Sequence, residues 1–526
     1  MRTGEHDAIV IGSGPNGLVA ANVLADAGWS VLVLEAQDTL GGAVRSDTEV
    51  APGFVHDTFS SFYPLGKASA AITALGLEDY GLVWRQAPAV LANPLPGGRW
   101  AVLHQRPADT AAGFDALHAG DGDAWLELCA VWERLGGPLM DCLLKPFPPV
   151  AAGSQLLAKG AGRGGMDLAR MLVVSARQLG EERFGGDAPR TLLAGNALHA
   201  DFSPESTGSG VFGLIMSMLG QFVGFPVPEG GAGRLTQAMA DRLADKGSTV
   251  RTSARVDEVL VSSGRAVGVR TSDGAEQHAR RAILADVVAP QLFGGLVPWE
   301  ALPGRVRRGM RRFRWDPSTF KVDWALSGPV PWSVPQPVTS ACVHVTTGVD
   351  ELSMFAAHLA AGAVPSHPLL LTGQMAQADP TRAPAGKESM WAYTHVPRDT
   401  RSDAGADGLT GRWDQAEKER FADRVQARVE EHAPGFGDLV EARRILGPAD
   451  LEARDCNLDR GAINGGTSAL HQELVFRPYP GTGRPETPVR GLFLAGASAH
   501  PGGGVHGAAG ANAARAALLH ARLRRI

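Results

Sequence analysis

Cysteine is scarce in this chain of 526 residues. Its four cysteines, Cys129, Cys142, Cys342 and Cys456, are scattered, and no two form a C-x-x-C pair. That argues against a dithiol redox centre, a zinc site or a disulfide framework, and fits a reducing compartment. An excess of one charge is missing too: 50 basic and 55 acidic residues leave a net −5, which offers nucleic acid no broad basic field. Long apolar runs are also absent. The longest, Val211–Phe225, is too short and too rich in glycine for a membrane span. No signal peptide is visible, because the first apolar run is short. These absences lead us to expect a soluble, cytoplasmic protein. Hydrophobic content of 44% and charged content of 20% are ordinary for a globular chain, and the length calls for two or more domains.

The most informative stretch is Asp7-Ala-Ile-Val-Ile-Gly12-Ser-Gly14-Pro-Asn-Gly17. Four apolar residues, Ala8 to Ile11, read as a buried parallel strand. Gly12, Gly14 and Gly17 follow as a G-x-G-x-x-G turn. The first glycine lets the strand turn sharply, the second admits a pyrophosphate to the backbone, and the third lets the next helix pack closely. Pro15 suits the first helical turn, and Gly28 reads as the stop. A second strand, Val31–Leu34, ends on Glu35. A carboxylate there accepts hydrogen bonds from a ribose diol and disfavours a 2′-phosphate. Gly41-Gly42, just beyond, lets backbone N–H groups face a second part of the nucleotide, unless it is an ordinary turn.

Further along, residues 65–225 read as mostly helical, broken at Lys145–Pro149 and at Gly160–Gly165. A helix over 235–245 and strands over 248–253, 256–261, 266–271 and 282–285 read as a return to the nucleotide domain. The strand–glycine turn–helix–strand–acid series is not repeated there, so nothing marks a dedicated NAD(P)H domain. The basic run Arg305–Arg314 reads as a solvated helix face, with peripheral membrane contact left open. Thr319–Leu326 alternates as a strand, and Asp414–His432 reads as an amphipathic helix. The chain closes on a strand, 491–495, a glycine-dense turn through Gly507, and a helix over 508–521. The N-terminus of that last helix offers free N–H groups and partial positive charge.

The Gly12–Gly17 turn with Glu35, the Gly41-Gly42 pair, Phe320–Trp332, Arg382–Lys387, Trp391–Pro397, Gln472 with Phe476–Pro478, and Ala495–Val505 together resemble the phytoene-desaturase-like family of FAD-dependent oxidoreductases. Within it they are similar to the branch of pyridine nucleotide-disulfide oxidoreductase domain-containing protein 2. The resemblance covers almost the whole chain. It implies an α/β fold: a glutathione-reductase-type FAD-binding Rossmann domain interleaved with an α+β substrate domain. The FAD-binding domain would comprise residues 1–64, 226–290 and 486–526, and the substrate domain 65–225 and 291–485.

Carried over residue by residue, the resemblance implies that Gly12, Gly14, Gly17 and Glu35 hold the ADP half of FAD. Gly41, Gly42, Arg45 and Ser46 would line the pyrophosphate and ribityl region, and Val256 would meet the adenine through its backbone. Gly496, Gly503 and Val505 would lie along the ribityl chain and isoalloxazine. Where many flavoproteins of this fold carry Gly-Asp, this chain has Gly496-Ala497, so one carboxylate contact to the flavin is missing. No metal is implied.

The implied reaction passes a hydride between a hydrophobic, often polyunsaturated substrate and flavin N5. It needs positioning and a dry cavity more than a nucleophile. His500 and His506 are candidates to move a proton beside the flavin, or they only cap and line the loop. Glu473 and His471 come after them. The same architecture also serves carbon–carbon double-bond reductases and amine oxidases. An amine oxidase wants an aromatic cage beside the flavin, and tyrosine occurs only four times here. Prenyl-protein escort proteins share the fold as lipid-binding partners without flavin, and the intact glycines with Glu35 argue against that reading.

Overall fold

The computed structural model describes residues 5–160 and 165–523. The glycine-rich break expected at 160–165 falls largely on residues 161–164, outside the described residues.

In chain order, β1 (Glu5–Ile11), α1 (Pro15–Asp26) and β2 (Val31–Leu34) open the fold. A hairpin of β3 (Ala89–Leu95) and β4 (Arg99–Leu103) comes next. The helices α2 (Asp121–Leu144), α3 (Asp187–His199) and α4 (Ser209–Val223) follow, then α5 (Gly233–Asp245). Strands β5 (Thr249–Arg251), β6 (Val256–Ser262), β7 (Arg265–Thr271) and β8 (Glu276–Ala285) come in succession. The second half holds β9 (Ser318–Leu326), β10 (Ser340–Val345), β11 (Leu370–Gln374), β12 (Glu388–Val396) and β13 (Val440–Leu446). It ends with β14 (Leu492–Leu494) and α6 (Ala508–Arg522).

One seven-stranded sheet runs β6-β7-β8-β1-β2-β5, with β14 beside β8. Its β14-β8-β1-β2-β5 part is parallel, in register Leu492↔Ile283↔Ile9↔Leu32 and onward to Thr249. Both faces are covered. Ile9 and Ile11 enter one apolar cluster, while Ala8 and Val10 enter another with Val31, Val33 and Leu284. Burial on both faces explains why the sequence shows unbroken apolar runs here and no alternation. The carboxyl ends of β1, β2, β8 and β14 therefore share one edge. The segments leaving it begin with Gly12, Glu35, Asp286 and Ala495. In parallel sheets the crevice outside such an edge is where ligands bind.

The second seven-stranded sheet runs β13-β9-β12-β11-β10-β3-β4. The stretch 65–225 is mostly helical, and the β3–β4 hairpin inside it joins this sheet, with β3 parallel to β10. Between β9 and residue 410 the chain adds three more strands of the sheet, β10, β11 and β12. These strands are buried at nearly every position, so they too lack the alternation that marks a half-exposed strand. Likewise β9 is buried at all nine positions, although its text reads as alternating.

The apolar run Val211–Phe225 is the buried helix α4 with its cap, and among the described residues no helix is long and apolar enough to cross a membrane. Helices α1 and α6 pack so closely that a Cβ on Gly510 would lie 1.8 Å from the Asn16 carbonyl. The two glycine loops, from opposite ends of the chain, thus meet at one place.

Candidate flavin site

The turn after β1 is shaped by contacts that only glycine tolerates. Gly12 has φ +92°, and its N–H donates to the Leu34 carbonyl at 2.8 Å. A Cβ on Gly17 would lie 2.2 Å from the Gly12 carbonyl, and one on Gly14 would lie 2.7 Å from Asp286 Oδ2. Glu35 is buried at the edge of this turn. Its Oε2 accepts the Ser13 N–H at 2.8 Å and the Ser13 hydroxyl at 2.7 Å, and its Oε1 accepts the Gln37 N–H at 2.9 Å. A carboxylate has about four acceptor directions. One remains here, on Oε1, which suits a single ribose hydroxyl.

Gly42 approaches the turn directly: its Cβ would lie 3.0 Å from the Gly14 Cα. Gly41 donates to the Ser13 hydroxyl at 3.1 Å. Arg45 donates to Thr39 and to the Arg454 carbonyl and lies over the Phe59 ring, while its Nε is buried without a partner. An unpartnered guanidinium N–H beside a glycine turn suits a phosphate oxygen. Ser46 is committed elsewhere, donating to Asp57 and accepting the Gly233 N–H. Val256 begins β6, two residues past Ala254, whose N–H bonds the Glu35 carbonyl at 2.7 Å. The start of β6 thus lies next to Glu35.

The loop after β14 packs onto the same edge. A Cβ on Gly496 would lie 2.7 Å from the Val287 carbonyl, and one on Gly503 would lie 2.6 Å from Asn464 Oδ1. Val505 is partly buried beside Leu18 and Val19 of α1. His506 Nδ1 accepts the Ala508 N–H at 3.0 Å, capping α6, and its ring also bonds the backbone of Gly502 and Gly503. Burial pulls this imidazole down to about 4. His500 Nε2 bonds the Lys145 carbonyl at 2.9 Å, and its Nδ1 is buried and unpartnered. Burial lowers this imidazole too. His471 lies in the exposed part of its loop.

Asp286, Arg477 and Lys321 have no role assigned from the sequence, although Arg477 and Lys321 lie in segments that carry the resemblance. Asp286, directly after β8, accepts the Gly17 N–H, and burial pushes its carboxyl up to about 8. Arg477 is fully buried beneath the 496–503 loop. It donates to the carbonyls of Asn464, Thr467 and Ala497 and to Glu473 at 2.8–3.2 Å. Burial raises Glu473 to about 7. Lys321 of β9, also buried, donates to the Asp57 carbonyl at 2.9 Å and to Asp323, while Arg382 pairs with Asp57 at 2.6 Å. Asp57 also accepts the Ala232 N–H, so this charged group locks the second sheet to the start of α5.

A family model for flavin containing amine oxidoreductase matches residues 16–386. The chain belongs to that family. This flavoprotein is 31% identical to mouse (Mus musculus) pyridine nucleotide-disulfide oxidoreductase domain-containing protein 2, over 97% of its own length and 93% of the relative's. It is 25% identical to the neurosporene-forming phytoene desaturase of Cereibacter sphaeroides, over 96% and 92% of the two chains. Its fold is similar to wild-type putrescine oxidase bound to putrescine, with TM-score 0.61 at 17% identity, covering 98% and 99% of the chains. The flavoprotein is an FAD-dependent oxidoreductase. All four of its cysteines are free thiols, and burial pushes Cys129 up to about 12. Among the described residues, no group of three or more His, Cys, Asp or Glu side chains is arranged to hold a metal ion.

Proposed function

We propose that this oxidoreductase exchanges a hydride between an apolar, unsaturated substrate and FAD, desaturating a carbon–carbon bond or reducing one in reverse. The observation that carries this reading is an apolar cluster lying against the 502–507 loop. Val211, Ile215 and Leu219 of α4 pack with the half-exposed Trp132, Leu139 and Met140 of α2 and with Leu65. Leu65 in turn touches the loop, its Cδ1 3.0 Å from a Gly504 Cβ position. An apolar wall beside the flavin loop orients a hydrocarbon and excludes water, which is what hydride exchange asks of a protein.

In this reading Gly12, Gly14 and Gly17 hold the pyrophosphate at the N-terminus of α1, with Arg45 Nε beside it. Glu35 takes the ribose hydroxyl, and the backbone at Val256 takes the adenine. Gly41, Gly42, Gly496, Gly503 and Val505 follow the ribityl chain and ring, and Ser46 braces them from behind. FAD, when bound, supplies a two-electron acceptor at N5. His506 positions the loop, since both sides of its ring are committed. His500 holds or moves a proton at Nδ1, the nitrogen left free. The glutamate–arginine pair of Glu473 and Arg477 braces the loop from below.

A peripheral contact with an anionic membrane belongs to the same reading. Exposed Leu470, Leu474 and Phe476 flank Gln472, which bonds the Arg314 backbone in both directions at 2.8 and 2.9 Å. That joins an apolar patch to a run of arginines, the combination that binds anionic lipid surfaces.

The deciding experiment is the anaerobic visible spectrum of the purified protein with and without NADH or NADPH. Flavin bands that persist with both nucleotides and bleach with an apolar substrate support the dehydrogenase reading. Bleaching by NADPH or NADH makes it a reductase, bleaching by simple amines an amine oxidase. Failure to take up FAD at all points to a lipid escort.

A further inference from the structure

Apart from the flavin loop, a second set of buried polar side chains lacks partners. His344 lies within β10, fully buried, and neither Nδ1 nor Nε2 makes a hydrogen bond. The His199 ring, at the end of α3, meets it edge-on with centroids 5.4 Å apart, and its Nδ1 is likewise buried and unpartnered. Asn93 of β3 donates to the His344 carbonyl at 3.3 Å, which leaves its own Oδ1 unpartnered. Gly195 of α3 faces the pair, and a Cβ there would lie 3.4 Å from His344 Nδ1.

Protein interiors pair about nine in ten of their buried polar groups. Unpaired nitrogens on two imidazole rings in contact, with the unpaired Asn93 Oδ1 beside the His344 backbone, therefore call for a partner. Burial holds both imidazoles below their ordinary range, His199 at about 4, so each presents one N–H donor and one bare nitrogen acceptor. A carboxylate would need a protonated imidazole that burial opposes. An ammonium would need a free carboxylate, and the neighbouring Asp201 is already engaged by His395 at 3.3 Å and by Asn464. A neutral oxygen fits: a hydroxyl can donate to one ring and accept from the other, and a carbonyl can accept from both.

A chain of side-chain contacts links the pair to the flavin loop. The Tyr393 ring stands 6.3 Å from His199 and 5.7 Å from His395. His395 pairs with Asp201, Asp201 accepts from Asn464, and Asn464 is the residue that Gly503 abuts. We propose that His199 and His344 form a buried subsite that hydrogen-bonds a hydroxyl or carbonyl on an otherwise apolar substrate. This deepens the apolar-substrate reading above and rests on it. The substrate is then an oxygenated lipid, for example an isoprenoid alcohol or aldehyde, and not a pure hydrocarbon.

The test is equilibrium binding to the holoprotein without turnover, followed by tryptophan fluorescence and by the shift of the flavin bands. The probes are geranylgeraniol, geranylgeranial and the hydrocarbon that lacks the oxygen. One or two buried hydrogen bonds predict about tenfold tighter binding of the oxygenated probes. His344→Phe should bring them down to the hydrocarbon's affinity and leave the hydrocarbon unmoved. His199→Phe gives the same readout where His344→Phe does not fold. A preference for alcohol over aldehyde, or the reverse, tells the two oxygen functions apart, and either supports the subsite. Equal affinity of all three probes for the native protein overturns the subsite while the apolar reading stands. Variants that melt lower yet leave the affinities unchanged also overturn it, since the imidazoles then hold only water. Absence of binding by every probe overturns both readings.

Discussion

Asp286 Oδ2 accepts the Gly17 N–H at 2.8 Å, across 269 residues of sequence. A buried carboxyl group thus stands against the turn proposed to carry two phosphates. Burial pushes it up to about 8, with Asp455 and Glu35 nearby adding to the effect and the Gly17 N–H opposing it. A neutral acid beside a pyrophosphate is tolerable, and an ionised one repels it.

The first prediction follows from that geometry. FAD affinity of the native protein is expected to fall on the order of tenfold as pH rises from 7 to 9, through the titration of Asp286. Asp286→Asn keeps an oxygen for the Gly17 N–H and should hold its affinity level over the same range. Stability moves in the same direction. The folded-state value is raised above the ordinary 3.8, so the contribution is full below that value and is lost as pH rises through about 8. FAD titration by fluorescence quenching checks the first part. A parallel fall in Asp286→Asn would place the titrating group elsewhere.

Gly17→Ala tests the turn itself. The added Cβ would lie 2.2 Å from the Gly12 carbonyl, and backbone cannot yield as the end of a flexible side chain can. Overpacking of this kind costs about 1–3 kcal/mol. The variant should melt below the native protein and purify with little flavin. Native flavin content in Gly17→Ala would show that the turn opens on binding.

Arg477 makes the third case. Its guanidinium serves four backbone carbonyls and Glu473 with no exposure to solvent. Removing one partner of such a buried pair costs about 3–5 kcal/mol, because the other group stays buried alone. Arg477→Met should therefore lose flavin and stability together. Arg477→Lys, which keeps the charge but not the planar fork, should recover little of either. Thermal melts and the ratio of flavin to protein absorbance measure both effects.

These predictions draw on two kinds of information. The segment from β1 to β2 was legible because local constraints write it: glycines where backbone must pass backbone, and apolar runs where a strand is covered on both faces. The place of Glu35 beside the glycine turn was legible for the same reason, at a fixed distance beyond the glycines. The roles of Asp286 and Arg477 were not, although Arg477 lies in a segment that carries the resemblance, since nothing local shows what an aspartate after a strand or an arginine in a loop will bond. Their roles exist only once β8 lies beside β1 and the 464–477 loop folds under β14. The β3–β4 hairpin was missed because β3 is buried at all seven positions and carries Pro94, so neither alternation nor composition marks it as a strand. The His199 and His344 pair joins α3 to β10, a contact that sequence spacing cannot show.

The last prediction concerns His506, where capping and burial act on one ring. Its Nδ1 can accept the Ala508 N–H only while deprotonated, and burial holds the imidazole at about 4 in the fold against 6.5 when exposed. The unfolded chain therefore binds the proton first. The stability this ring contributes is full above 6.5 and is lost as pH falls toward 4, at a rate of up to about 1.4 kcal/mol per pH unit. His199 moves the same way, whereas Asp286, Glu473 and Glu388, all raised by burial, gain stability over that range. The slope of the native protein alone is thus a sum of opposing parts, and the difference from a variant isolates the ring. His506→Asn supplies a cap that does not titrate. At pH 7.5 it should be less stable than the native protein by about 1 kcal/mol, because the ring's bonds to Gly502 and Gly503 are lost, and the gap should close at about pH 6 and reverse by pH 5. Urea denaturation at the two pH values measures it. A gap that stays constant would mean that the ring keeps the proton affinity of an exposed imidazole, and that its bond to the α6 N-terminus is open to water.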